Sequence, residues 1–155
     1  MTANNNSSSR PESESPHPWR RTAIQGGASL FALLLIATLH HLLLIDETTP
    51  IIMASFGASA ILLYGAPHSD MAQPWNIFVG GILSGCIGVA VGELGLPLWF
   101  MEALAVALAI IVMGATNSMH PPAGAIAFLG ASGDFSSLGF GFVLCPVITG
   151  LSIMF

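Results

Sequence analysis

Thr116-Asn117-Ser118-Met119-His120-Pro121-Pro122-Ala123-Gly124-Ala125 stands between two apolar runs, and its reading decides the fold. Leu98–Ala115, just before it, has the length and composition of a membrane helix. That helix cannot pass Pro121, because proline disfavours the α conformation in the residue before it and two successive prolines remove two amide donors. A short helix can start at once, with Pro122 at its first position and residues 123–129 as its body. In a soluble protein a Pro-Pro pair and a lone histidine read as an ordinary loop with a structural side chain. Between membrane spans the same passage reads as a broken helix, tolerated only where it is buried in protein or lines a cavity, and we expect function here. His120 and Asn117 are expected to line the break rather than a packed face.

Composition sets the frame for that reading. With 54% apolar and 7% charged residues over 155 positions, the chain belongs to the membrane class as one domain, which excludes a soluble enzyme. A formal net charge of -5 argues against nucleic acid as a partner. All three basic residues, Arg10, Arg20 and Arg21, precede the first apolar run. Arg20-Arg21 alone sets the orientation and places the N-terminus on the cytoplasmic side. Residues 1–22, rich in Asn, Ser, Pro and Glu at their start, are expected to form a disordered cytoplasmic tail, with residues 23–155 as the transmembrane domain.

In chain order, residues 23–45 form a first span of about 23 residues, long enough to cross ~30 Å. His40 and His41 near its end read as interface or packing histidines, since adjacent helical positions point about 100° apart and do not easily share one metal ion. Residues 48–65 are too short for a regular crossing and form a first broken segment, residues 67–74 a polar connection, and residues 75–92 the next span. Gly81, Gly85, Gly88 and Gly92 make one helical stripe, read as close packing. A turn at residues 93–97 leads to the span before the break, Glu102 lies one turn inside it, and residues 138–155 form a last apolar run that reaches Phe155 without a polar flank, as in a chain that continues. Cys86 and Cys145, far apart and inside apolar runs, read as reduced packing residues. The expected fold is all-α integral membrane: four long transmembrane helices plus two short broken half-helix segments. No cofactor or metal is implied.

A shift of 65 positions lays residues 56–66 on residues 121–131, matching Ala58 with Ala123, Ala60 with Ala125, Ile61 with Ile126, Gly65 with Gly130 and Ala66 with Ala131. The order of span, broken segment, connection and span also recurs. Two structural repeats are expected, residues 23–92 and 98–155. Discontinuous helices in matching places point to a transport site between the halves. If each short segment crosses as an extended stretch plus a half-helix, starting near residues 48–56, the repeats are inverted. If it enters and leaves on one face, they are parallel. The inverted arrangement is preferred because it converges both half-helix starts on one point.

His120-Pro121-Pro122 with Ala123-Gly124-Ala125, Phe56-Gly57-Ala58-Ser59-Ala60, Ala66-Pro67-His68-Ser69, and Ala72-Gln73-Pro74 with Asn76 and Gly80-Gly81 together closely resemble the HPP family of integral membrane proteins. The resemblance runs from about Ala23 to Phe155. It implies a small transporter-like protein of four recognised spans, in a bacterial plasma membrane (cyanobacterial ones included) or a chloroplast envelope, with nitrite as the attributed cargo. Where family members often carry a basic residue after Gln-Pro and a His after Gly-Gly, this chain has Trp75 and Ile82.

With no Lys or Arg after Arg21, an anion would be held by amides at the half-helix starts, at Gly57 to Ser59 and Ala123 to Ala125 with Gly124 central, and by donors on Ser55, Ser59, Thr116, Asn117 and His120. The family motifs add His68, Gln73 and Asn76. Such a site binds weakly, which suits a carrier. The expected partners are a small inorganic anion, the lipid bilayer and other copies of the chain. The competing readings are a cation or neutral-solute pathway and a non-transporting membrane subunit docking through the glycine stripe. No H-E-x-x-H, G-x-S-x-G or paired-Cys motif points to an enzyme.

Overall fold

The computed structural model describes residues 18–44, 49–135 and 138–155, and every regular element among them is helical. Helix α1 (Pro18–Leu44) starts ahead of the expected Ala23 because proline suits the first helical position, and it carries Arg20 and Arg21 exposed on its first turn. The rest of the expected tail, and Asp46 and Glu47, lie outside the described residues. Helix α2 (Thr49–Ala60) runs on through a wider π turn at Ile61–Gly65. The extended stretch expected near residues 48–56 is therefore helical from Thr49 onward, since a proline at the second helical residue removes no intrahelical bond. The helix stops at Ala66 (φ -133°, ψ 56°), driven from the α region by Pro67.

One 3-10 turn (Asp70–Ala72) leads into α3 (Pro74–Gly92), with Pro74 at its start. Gly95, at φ 65°, turns the chain into α4 (Leu98–Ala115), and α5 (Ala123–Ala131) follows the break. The last run is not one helix. A π turn at Val143–Ile148 holds Cys145 at φ -137°, ψ 115°, and only Thr149–Met154 (α6) is regular, because Pro146 displaces the residue before it and lacks an amide. Among the described residues three helices, α1, α3 and α4, are long and apolar enough to cross a membrane; residues 54–65 form a shorter apolar helix, and residues 143–154 a shorter apolar stretch interrupted at Cys145.

Neighbouring segments alternate in direction. The indole of Trp75 at the start of α3 donates to the Thr116 carbonyl past the end of α4 at 3.3 Å, so α3 and α4 form an antiparallel pair. Residues 116–131 then descend beside α3 in register: Gly80 lies against Ser118 and His120, Gly88 against Ala127, and Gly92 against Gly130 and Ala131. A β-carbon at Gly80 would come within 2.5 Å of the Ser118 carbonyl, so glycine is what admits this contact. The last segment returns antiparallel to α3, with Gly85 against Val143 and Val147, Gly81 against Leu151, and the Phe78 and Phe155 rings stacked at 5.3 Å.

Helix α2 is parallel to that segment: the Phe56 ring lies on Gly150, and the Tyr64 hydroxyl donates to the Met154 carbonyl at 2.7 Å. Helix α1 reverses again, with Thr22 to Ser29 beside Ala60 to Gly65 and His40 beside Phe56. Ile36, Phe56, Ile77, Ile126, Phe142 and Leu151, all fully buried, fill the centre.

Candidate functional site

His120 is fully buried. Its Nδ1 lies 2.9 Å from the Met71 carbonyl and its Nε2 2.9 Å from the Ser59 hydroxyl. A carbonyl only accepts, so Nδ1 carries the hydrogen, and in the neutral ring Nε2 accepts from Ser59. One side chain thus joins the break, the end of α2 and the turn ahead of α3. His120 is therefore packed inside the protein rather than lining the break with a free donor, contrary to expectation.

Six backbone amides around the break are also taken up locally. The amides of Thr116, Asn117 and Ser118 close α4 on the carbonyls of Val112, Gly114 and Met113, at 2.9, 3.4 and 2.9 Å. Those of Ala123, Gly124 and Ala125 donate to His120, Pro121 and Pro122 at 2.9, 3.0 and 3.1 Å, and the two prolines have no amide to leave unpaired. This corrects the expectation that the start of α5 offers free amides to an anion. Gly57 to Ser59 lie within α2, where amides serve the preceding turn.

Asn117 is exposed at φ 50°, a left-handed turn that asparagine tolerates better than most residues. The Thr116 hydroxyl donates to Val112 at 2.8 Å and shares a 2.6 Å bond with Ser118. Gln73 donates to the Ser69 carbonyl at 3.2 Å and Asn76 to the Asp70 carbonyl at 2.6 Å, bracing the turn that presents the Met71 carbonyl to His120. His68 is exposed on the same connection.

The structure thus joins Ser59 and His120 directly, links Gln73 and Asn76 to them through the Met71 turn, and attaches Thr116 through Trp75. Ser55, buried one turn before Ser59, falls toward the level of Gly124 by the opposed direction of the two helices. Gly57 and Gly124 are half-buried with free space: nothing lies within 4 Å of a β-carbon added at Gly57, and only Val106, at 3.9 Å, near one at Gly124. Beside the crossing opens an apolar groove of about 480 Å³ lined by Ala58, Ile61, Leu62, Pro121, Pro122 and Ala125.

Two buried polar side chains escaped the sequence reading. His40 and Ser84 are fully buried with no hydrogen-bond partner for either ring nitrogen or for the hydroxyl. His40 was grouped with the exposed His41, and only the side of α1 that faces α2 separates them. Ser84 continues the row Gly80 and Gly88 at i+4 spacing, the row that packs on residues 118–130, whereas the expected stripe at Gly81, Gly85, Gly88 and Gly92 mixes two faces. That stripe is covered by the chain's own helices.

Apolar helices packed around a glycine-lined α3, three of them long enough to cross a bilayer, define a multi-pass membrane protein. The chain belongs to the HPP family, whose transmembrane region matches residues 14–155. It is similar to two transmembrane proteins of Dictyostelium discoideum: one is 36% identical over 132 residues, covering 82% of this chain and 46% of the relative, and another 38% identical over 128 residues, covering 79% and 41%. The chain therefore spans less than half the length of these relatives. No solved structure matches it.

Proposed function

We propose that the protein is a transporter for a small inorganic anion, nitrite first, working by alternating access where α2 crosses residues 116–131. The observation that carries this reading is the buried Ser59–His120 hydrogen bond, where two short helices in matching places of the sequence repeat meet. The contact pattern supports inverted repeats: α1 packs on α2 as α4 packs on α5, α3 packs on α5 as the last segment packs on α2, and the 65-residue shift carries Gly85 onto Gly150, each lying under a neighbouring segment. Residues 116–131 run beside α3, whose 19 residues span about 28 Å, which supports six traverses rather than four long spans with two re-entrant pieces.

Paired to each other, Ser59 and His120 close the crossing; parted, the Ser59 hydroxyl turns from the His120 Nε2 acceptor to an anion as a neutral donor, and weak binding favours release. Nitrite is taken from the family resemblance. The N-terminus is cytoplasmic by the placement of Arg20 and Arg21, the setting is a plasma membrane, and the exposed apolar faces of α1 and α4 suit a homo-oligomer. Purified protein in liposomes is expected to take up nitrite well above protein-free vesicles and to exclude potassium. Folded protein without nitrite uptake refutes the reading. A neutral polar solute is the second reading, favoured by the uncharged side chains at the crossing, and solute-driven vesicle swelling tests it.

A further inference from the structure

Of the two buried histidines among the described residues, one lies outside the crossing. His40 stands on α1 with 0% exposure, its ring centroid 5.7 Å from that of Phe56 at 48°. The Pro146 carbonyl, at the discontinuity of the last segment, faces the ring but falls short of hydrogen-bond geometry. Native interiors rarely leave both nitrogens of a ring unpaired, and each such group asks for a reason. The elements packed on α1 are α2, its π turn and α6, with the last segment approaching at Pro146. Among their described residues the only titratable groups are Tyr64, whose hydroxyl is given to Met154, and the free thiol of Cys145. On α1 itself, His41 points outward. No described carboxylate or cationic side chain answers His40 from these elements.

We propose that His40 is the proton-binding residue of the transport cycle, taking up a proton only together with the anion; this rests on the transporter reading above. A proton from water adds to a ring nitrogen lone pair and leaves an imidazolium without a buried counter-charge. In a low-dielectric interior that state is strongly disfavoured until a negative charge arrives. The anion site supplies it: Phe56, which touches His40, sits on α2 between Ser55 and Ser59, so both sites share one turn of helix. One proton and one monovalent anion make a neutral load, which crosses apolar surroundings without leaving net charge behind. The unpaired ring is what makes His40 suitable, as His120 already has two partners.

The test is a titration of wild-type protein labelled with 15N-histidine in lipid nanodiscs, from about pH 8 to about pH 5, in sodium nitrite and in sodium gluconate at equal ionic strength. Individual histidines are assigned by single substitutions. We expect His40 to protonate at higher pH in nitrite, by roughly one to three units, while exposed His41 moves little. In liposomes, an inward proton gradient is expected to speed nitrite uptake by the wild type and to leave uptake by His40→Gln unchanged. Equal His40 midpoints in the two salts, or a gradient response retained by His40→Gln, overturns the proposal. No nitrite flux in wild type counts against the transport reading, and the titration alone then decides His40. If His40→Gln does not fold, the wild-type titration decides it.

Discussion

His120 and His40 are buried to the same degree and placed in opposite circumstances. His120 donates to Met71 and accepts from Ser59, so both nitrogens are occupied; His40 lies against Phe56 with neither occupied. Burial alone therefore does not separate a structural histidine from a receptive one. The number of partners does, since a satisfied ring gains nothing from a ligand while an unsatisfied one recovers the cost of its desolvation.

Substitution sharpens this contrast most at the two rings. Replacing His120 by Ala strands the Ser59 hydroxyl and the Met71 carbonyl and opens a cavity, which should cost about 3 kcal/mol or more in thermal unfolding of detergent-purified protein. His40→Phe puts an apolar ring of similar shape beside Phe56 and should stay within about 1 kcal/mol of wild type, or exceed it. Equal losses at the two sites would end the contrast. Next in size is Gly80→Ala, where the new carbon meets the Ser118 backbone; about 2 kcal/mol is expected, and an unchanged melting temperature would mean that α3 and the break are less closely apposed.

Ser59→Ala removes one of the two partners of His120 and should cost about 1 to 2 kcal/mol, the shortfall relative to His120→Ala being the Met71 bond together with the cavity left by the ring. At the crossing, Gly57→Ala meets open space inside a helix and should stabilise by up to about 1 kcal/mol, while Gly57→Leu should fold and slow nitrite uptake. Full uptake in Gly57→Leu would move the path away from α2. The smallest effect is at Asn117, where Ala should cost about 1 kcal/mol for the positive φ and Gly close to nothing, read from the same melts.

Much of this arrangement was legible in the chain itself. Residues 98–115, the stop at Pro121, the restart near Ala123 and the close approach at the α3 glycines follow from length, proline chemistry and small-residue spacing. Other parts needed the tertiary structure. Whether the stretch from Thr49 to Phe56 extends or coils depends on neighbours, and α1 and the last segment pack on its helix at Phe56. Pro146 signals the division at Cys145, but the apolar run on both sides of it hides that signal. His40 and His41 differ only in which side of α1 meets α2, a matter of rotation about the helix axis that an apolar sequence on all sides does not fix. Free amides follow from a free helix start, but Pro121 and Pro122 curl the chain so that the carbonyls of His120 and of the two prolines take those hydrogens.

The break carries a mechanical consequence. The backbone bonds that finish α4 end at the amide of Ser118, those that begin α5 start at the carbonyl of His120, and none of them spans Met119. A rotation there changes the angle between the two helices without rupturing a ladder bond, so the joint behaves as a hinge whose stiffness comes from side chains. The imidazole of His120 is its latch: letting go of Ser59 frees α5 from α2, and letting go of Met71 frees it from the turn before α3, two catches that can release separately.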